Sequence, residues 1–191
     1  SKTPFLWEYR DEHENTVTSA LESKYDVSAK NGIANQLESI AAQLVDEYLG
    51  NYKRDIFDIV DDSFLEGYDE DNIGMAFRNA AVVSTTYTLL TRCGINADEY
   101  FEDEDFLSIF DFNTSDTVNF LATAVSETSE QVLRQIEISV KNYERERSKN
   151  NEQHHLQSER RLSDSELNSR SDREETPREI RQNEEGISQE S

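Results

Sequence analysis

Cysteine, tryptophan and methionine occur once each among 191 residues, with two prolines and six glycines. The lone Cys93 excludes an intrachain disulfide and any cysteine-based zinc cage. It ends an apolar run, which reads as a small buried hydrophobe rather than a reactive thiol. The few glycines read as helix stops, connections or tail. No GxxxxGK[ST], GxGxxG or GxSxG pattern is present, and no HExxH. The three histidines, His13, His154 and His155, fall in weakly structured stretches. None is therefore expected in an ordered core to activate a serine, threonine or tyrosine. No run of 18 uncharged apolar residues exists, so no membrane-spanning helix is expected. The opening SKTPFLWEYRDEHEN lacks a basic-then-apolar signal pattern, so a cytoplasmic location is expected. It also lacks an initiator methionine, as an excised fragment would.

Basic residues are scarce as well. There are 19 Lys/Arg against 41 Asp/Glu, a net charge of −22. Residues 1–140 hold nine basic and 28 acidic side chains, a balance of −19; residues 141–191 hold 10 and 13. The excess charge thus sits in the part expected to fold. Such a field repels phosphate, so direct nucleic-acid binding is not expected. Tyr52-Lys53-Arg54 and Phe77-Arg78 are the candidate basic–aromatic patches, and both read as surface charge. The acidic field fits a solubilising surface, a surface meeting a basic partner, or a mimic of DNA phosphates.

What is present is helical periodicity. The chain is organised around residues 71–112, which hold its longest low-charge stretch and its densest mix of aromatics and carboxylates. Upstream, Val17 and Leu21 suggest a short helix over about 14–24, while Pro4, Phe5, Leu6, Trp7 and Tyr9 form a cluster able to pin the N-terminus. Ile33, Leu37, Ile40, Ala41, Leu44, Val45 and Tyr48 make one stripe of a helix, with Gly50-Asn51 as its stop. A second helix is expected over 52–65, burying Ile56, Ile59, Val60 and Phe64 and ending at Gly67. Asp71 or Asn72 is the expected N-cap of the next helix. That helix runs to about Cys93, apolar or small nearly all round, so it should be central, with Gly94 just past its end. Asn96 caps a turn. One or two short helices should follow, carrying Tyr100, Phe101, Phe106, Ile109, Phe110 and Phe112 inward and seven carboxylates outward. Asn113 to Asp116 reads as a helix start. The final helix or helix pair spans about 115–147, with a break possible at Ser126 to Ser129.

The acidic stretches do not make a calcium loop. Asp69, Asp71, Ile73 and Gly74 follow the pattern in part, but its fifth position is apolar and its twelfth is Ala80. Paired carboxylates for hydrolysis have no meaning without geometry in so acidic a chain. No cofactor, metal or catalytic residue is assigned. After about Ser148 the composition of Ser, Glu, Arg, Asn and Gln cannot bury enough surface to offset chain entropy, and a disordered linker or tail is expected.

Certain strings are familiar together: RCGIN, EYFEDEDF and IFDFNT, with VSAKNGIANQLESIAAQLVDEY and DSFLEGYDEDNIGMAFRNA upstream. Over about 25–147 the chain resembles a helical segment of large proteins of Firmicutes integrative and conjugative elements. There a similar region follows an antirestriction ArdC-like part and precedes a Swi/Snf-like helicase and often an adenine-specific DNA methylase. The resemblance implies a context, not an activity, because none of those enzymes' signatures lies in these residues.

The expectation is an all-α bundle of about five helices around the helix at 71–93. It divides into an arm at 1–27, an acidic helical domain at 28–147 and a tail at 148–191. The expected function is a non-catalytic accessory or interaction module of a mobile-element DNA-processing protein, with an acidic antirestriction-type DNA mimic as the alternative. Its partner would be a protein or a neighbouring domain of the same chain. The candidate contact surface is Asp98, Glu99, Glu102, Asp103, Glu104 and Asp105.

Overall fold

The structure, a computed structural model, describes the backbone of residues 6–187 and the side chains of residues 6–170. Pro4 and Phe5 of the N-terminal cluster lie outside these, as do the side chains of Ile180 and Ile187. Among the described residues the fold is all-α, without strands. Four α-helices run Glu14–Tyr25 (α1), Ile33–Phe57 (α2), Glu70–Arg92 (α3) and Ser115–Ile187 (α4). Shorter 3-10 turns occupy Asp11–His13, Ala97–Glu99 and Asp103–Asp111. No described helix is long and apolar enough to cross a membrane.

The chain divides into two units, Ser1–Tyr143 and Glu144–Ser191. In the second, α4 is helical as far as Ile187, and every described side chain over 144–170 is exposed. Over the described side chains to residue 170, the polar composition read as a tail follows a helical backbone and contributes no core. The first unit holds the packing. Residues before 28, read as an arm, supply α1, whose Val17 and Leu21 are fully buried.

Helix α3 buries residues around nearly its whole circumference, including Ile73, Phe77, Ala81, Thr86, Leu89 and Leu90. It is the central element, as its lack of charge implies. Two apolar clusters use its two ends. Near its start, Ile73, Phe77, Ala80 and Ala81 pack with Val45, Ile56, Leu65, Phe112, Leu121 and Ala124. Near its end, Leu89, Leu90 and Cys93 pack with Val17, Leu21, Leu37, Ile40, Val132 and Ile136. Asp69, two residues before the expected cap, closes the first turn by accepting the Asn72 N–H at 2.8 Å. The calcium reading fails on the same ground, since Asp71 and Gly74 lie within the helix. At the other end Gly94 has φ +69. There Ile95 N–H donates to the Leu90 carbonyl at 2.9 Å and Gly94 N–H to Thr91 at 3.1 Å. This is the Schellman closure that glycine permits.

Three expectations are corrected. Gly50 does not end α2, which continues to Phe57. Glycine costs a helix about 1 kcal/mol, whereas burying one large aliphatic such as Ile56, 0% exposed, contributes about 1.5–3 kcal/mol. Second, no helix spans 52–65. After Phe57 the chain makes turns, and Phe64 is 64% exposed while Leu65 takes the buried place. Asp55, Asp58, Asp61 and Asp62 lie at or just past this helix end, where the dipole disfavours negative charge. Third, Ser126 to Ser129 is not a break. Thr128 hydrogen-bonds the Ala124 carbonyl within a continuous α4.

His13 is also misplaced by sequence reasoning, being 1% exposed. Its Nδ1 accepts the Arg10 N–H at 2.9 Å, and its ring meets Tyr143 edge-on at 5.0 Å. Tyr143, the partner across its ring, is remote in sequence, so no local pattern around position 13 reveals that contact.

Candidate partner-contact surface

The acidic–aromatic segment begins where α3 is closed by Gly94. Asn96 accepts the Asp98 N–H at 3.2 Å, as expected of a cap. Asp105 then accepts the Glu102 N–H at 2.9 Å and opens the 3-10 turn Asp103–Asp111. A ladder of rings holds the segment on the bundle. Tyr100 meets Phe101 at 4.8 Å, Phe101 meets Phe106 at 5.5 Å, and Phe106 meets Tyr87 of α3 at 5.7 Å. The Tyr100 hydroxyl donates to Asn35 of α2 at 3.0 Å. Burial, with the Glu38 carboxylate nearby, pushes the Tyr100 phenol above its ordinary range.

The 3-10 period decides which aromatics turn inward. With about three residues per turn, positions i, i+3 and i+6 share a face. Phe106, Ile109 and Phe112 take the inner face, and Phe112 is buried. Glu104, Leu107 and Phe110 share another face, where Leu107 is 60% and Phe110 68% exposed. Phe110 therefore does not point inward as expected. An α period would have placed it over Phe106 at i+4; the tighter turn moves it out.

Asp98, Glu99, Glu102, Asp103, Glu104 and Asp105 are all exposed. Among the described residues no ion pair joins any of them to a basic side chain. Asp105 is partly committed to its capping bond. Glu104 and Asp105 also line a cleft of about 380 Å³ with Glu38 and Arg78. Arg78 is itself held in a fork by Asp46, with contacts of 2.7 and 3.3 Å. Phe77 is fully buried, so the Phe77-Arg78 pairing offers no ring to a base; Tyr52, Lys53 and Arg54 are exposed. The surface thus combines unpaired carboxylates with two neighbouring apolar side chains. Leu107 and Phe110 lie outside the set of acids read from the sequence; their spacing of three and six residues from Glu104 was the signal that places them on its face.

Cys93 offers no nucleophile. It is 3% exposed, and burial pushes its thiol up to about 12, so it is protonated at neutral pH.

No protein-family model matches the chain, and neither a curated protein nor a solved structure matches it.

Proposed function

We propose that this chain is a non-catalytic interaction module of a cytoplasmic mobile-element protein that processes DNA, of helicase or methylase type. It would contact a protein partner, or a neighbouring domain of its own parent chain, through residues 98–110. The observation that carries the contact reading is the exposed Leu107–Phe110 pair beside Glu104 on one face of a 3-10 turn. Adjacent exposed apolar side chains within a charged rim suit a protein interface, where apolar anchors supply affinity and charges supply orientation. The mobile-element context draws on the RCGIN, EYFEDEDF and IFDFNT strings.

The alternative is an acidic decoy for a DNA-binding enzyme. It draws on the six exposed carboxylates and the net charge of −22. A phosphate mimic needs rows of charge, and Leu107 and Phe110 interrupt the row that Glu104 begins. The apolar stripe therefore favours the interface.

Binding to the helicase-type and methylase-type regions of the parent protein, measured by sedimentation velocity, separates the two readings. The interface reading expects a complex that Leu107→Ser with Phe110→Ser weakens about tenfold or more, as loss of apolar anchors does. Absence of any such complex, together with displacement of duplex DNA from a restriction or helicase enzyme, would establish the decoy instead.

A further inference from the structure

A second concavity shares no residue with the 98–110 segment. It lies between α2 and the start of α4, holds about 460 Å³, and is lined chiefly by Tyr48, Tyr52, Asp55, Asp116, Asn119 and Phe120. The spacing explains the wall. Tyr48, Tyr52 and Asp55 stand at i, i+4 and i+7 on α2; Asp116, Asn119 and Phe120 stand at i, i+3 and i+4 on α4. Each set projects from one helix face.

The rings are held from behind. Buried Phe77 lies 6.1 Å from Tyr48 and 5.3 Å from Phe120, between ring centroids. Tyr48 and Phe120 meet edge-on at 5.9 Å, while Tyr52 lies 4.6 Å from Tyr48 and is 42% exposed. The aromatic wall is thus anchored to the core and open on its outer side.

The charge in the cleft has one sign. Asp55 and Asp116 line it, and no lysine or arginine does. Among the described residues neither aspartate has an ion-pair partner. Burial raises the Tyr48 phenol, and the Glu127 and Asp55 carboxylates raise it further, so Glu127 adds to the same negative field.

Ring faces and carboxylates both favour a cation. The polar groups narrow its chemistry. A quaternary ammonium has no N–H to donate and would take water from the carboxylates without replacing it. A lysine ammonium is compact and strongly hydrated. A guanidinium is planar and weakly hydrated; it can stack on a ring while its edge donates to carboxylates. We propose that this cleft binds an arginine side chain presented by a polypeptide partner. The guanidinium lies against the tyrosine rings, with its N–H edge toward Asp55 and Asp116. The site uses different residues from the contact surface above, so either can fail alone.

The test is an NMR titration of the full chain with a capped glycine–arginine–glycine peptide. Saturable shifts are expected at Tyr52, Asn119 and Phe120. Peptides with glutamine or trimethyl-lysine in place of arginine should bind about fivefold more weakly or worse. Tyr52→Ala removes an exposed ring and should keep the helical circular dichroism while weakening binding to a similar degree, as should Asp55→Asn with Asp116→Asn. Phe110→Ser should bind the peptide like wild type. The proposal is overturned by unsaturable shifts spread over the acidic surface, by undiminished affinity in Tyr52→Ala, or by tighter binding of the trimethyl-lysine peptide.

Discussion

Thr85 Oγ1 and Thr128 Oγ1 lie 3.0 Å apart with both residues buried, joining the middle of α3 to α4. Thr128 Oγ1 is also 2.7 Å from the Ala124 carbonyl, which can only accept. The proton order follows: Thr85 donates to Thr128, and Thr128 donates to Ala124. The pair sits between the two apolar clusters, with Ala81 and Ala124 on one side and Leu89 and Val132 on the other. A polar contact there ties the register of two otherwise apolar helix faces.

Thr128→Val should therefore cost more than Thr85→Val. The first strands a buried donor, at about 1–3 kcal/mol, while the second removes one hydrogen bond worth about 1 kcal/mol. The double variant should be less destabilised than the sum of the singles. Urea unfolding of all four proteins measures this coupling, and simple additivity would show that the two hydroxyls do not interact.

Two glycines should respond with opposite signs. Gly50 lies inside α2 with open space around it, so Gly50→Ala should stabilise by about 0.5–1 kcal/mol. Gly94 has φ +69, so Gly94→Ala should destabilise by about 1–2 kcal/mol despite equally open space. Thermal melts decide it. Loss of stability in Gly50→Ala would mean that α2 does stop there.

The three-residue period of the 103–111 turn separates two phenylalanines only two positions apart. Phe112→Ala should cost about 3–5 kcal/mol, as loss of a buried ring does. Phe110→Ala should stay within about 0.5 kcal/mol, as exposed sites do. Equal costs in chemical denaturation would place both rings inside.

Cys93 should make the protein less stable as pH rises through the alkaline range. Burial raises its thiol from 9.0 to about 12, so unfolding releases a proton between those values. Rising pH then favours the unfolded state, by up to roughly 1.4 kcal/mol per pH unit. Tyr9, Tyr25, Tyr48 and Tyr100 are raised too and add to this at higher pH. Comparing wild type with Cys93→Ala between about pH 8 and 10 isolates the thiol, because the tyrosines' ordinary value is 10.0. Identical slopes would contradict the burial argument. Disulfide-exchange reagents should also label Cys93 only after urea is added.

The candidate surface was partly legible in the sequence. Six acids crowded among aromatics cannot all be buried, so their exposure follows from composition. Which aromatic joins them outside does not follow. Phe110 turns out because the segment winds with a period near three, and that choice depends on the bundle surface receiving Phe106, Ile109 and Phe112. The cleft at Tyr48, Tyr52 and Phe120 was invisible for a related reason. Its walls come from helices some 70 residues apart in sequence, and no local pattern pairs them.

The sequence by itself determined the helical class, the central place of α3, the burial of Cys93 and the turn at Gly94. Those features rest on periodicity and on backbone freedom, which act within a few residues. Only the tertiary structure decided that α2 passes through Gly50, that His13 is buried, that α4 continues past Ser126 to Ser129, and that Phe64 and Phe110 face solvent. The local signals at those sites are worth about 1 kcal/mol, and burial of a distant large side chain outweighs them.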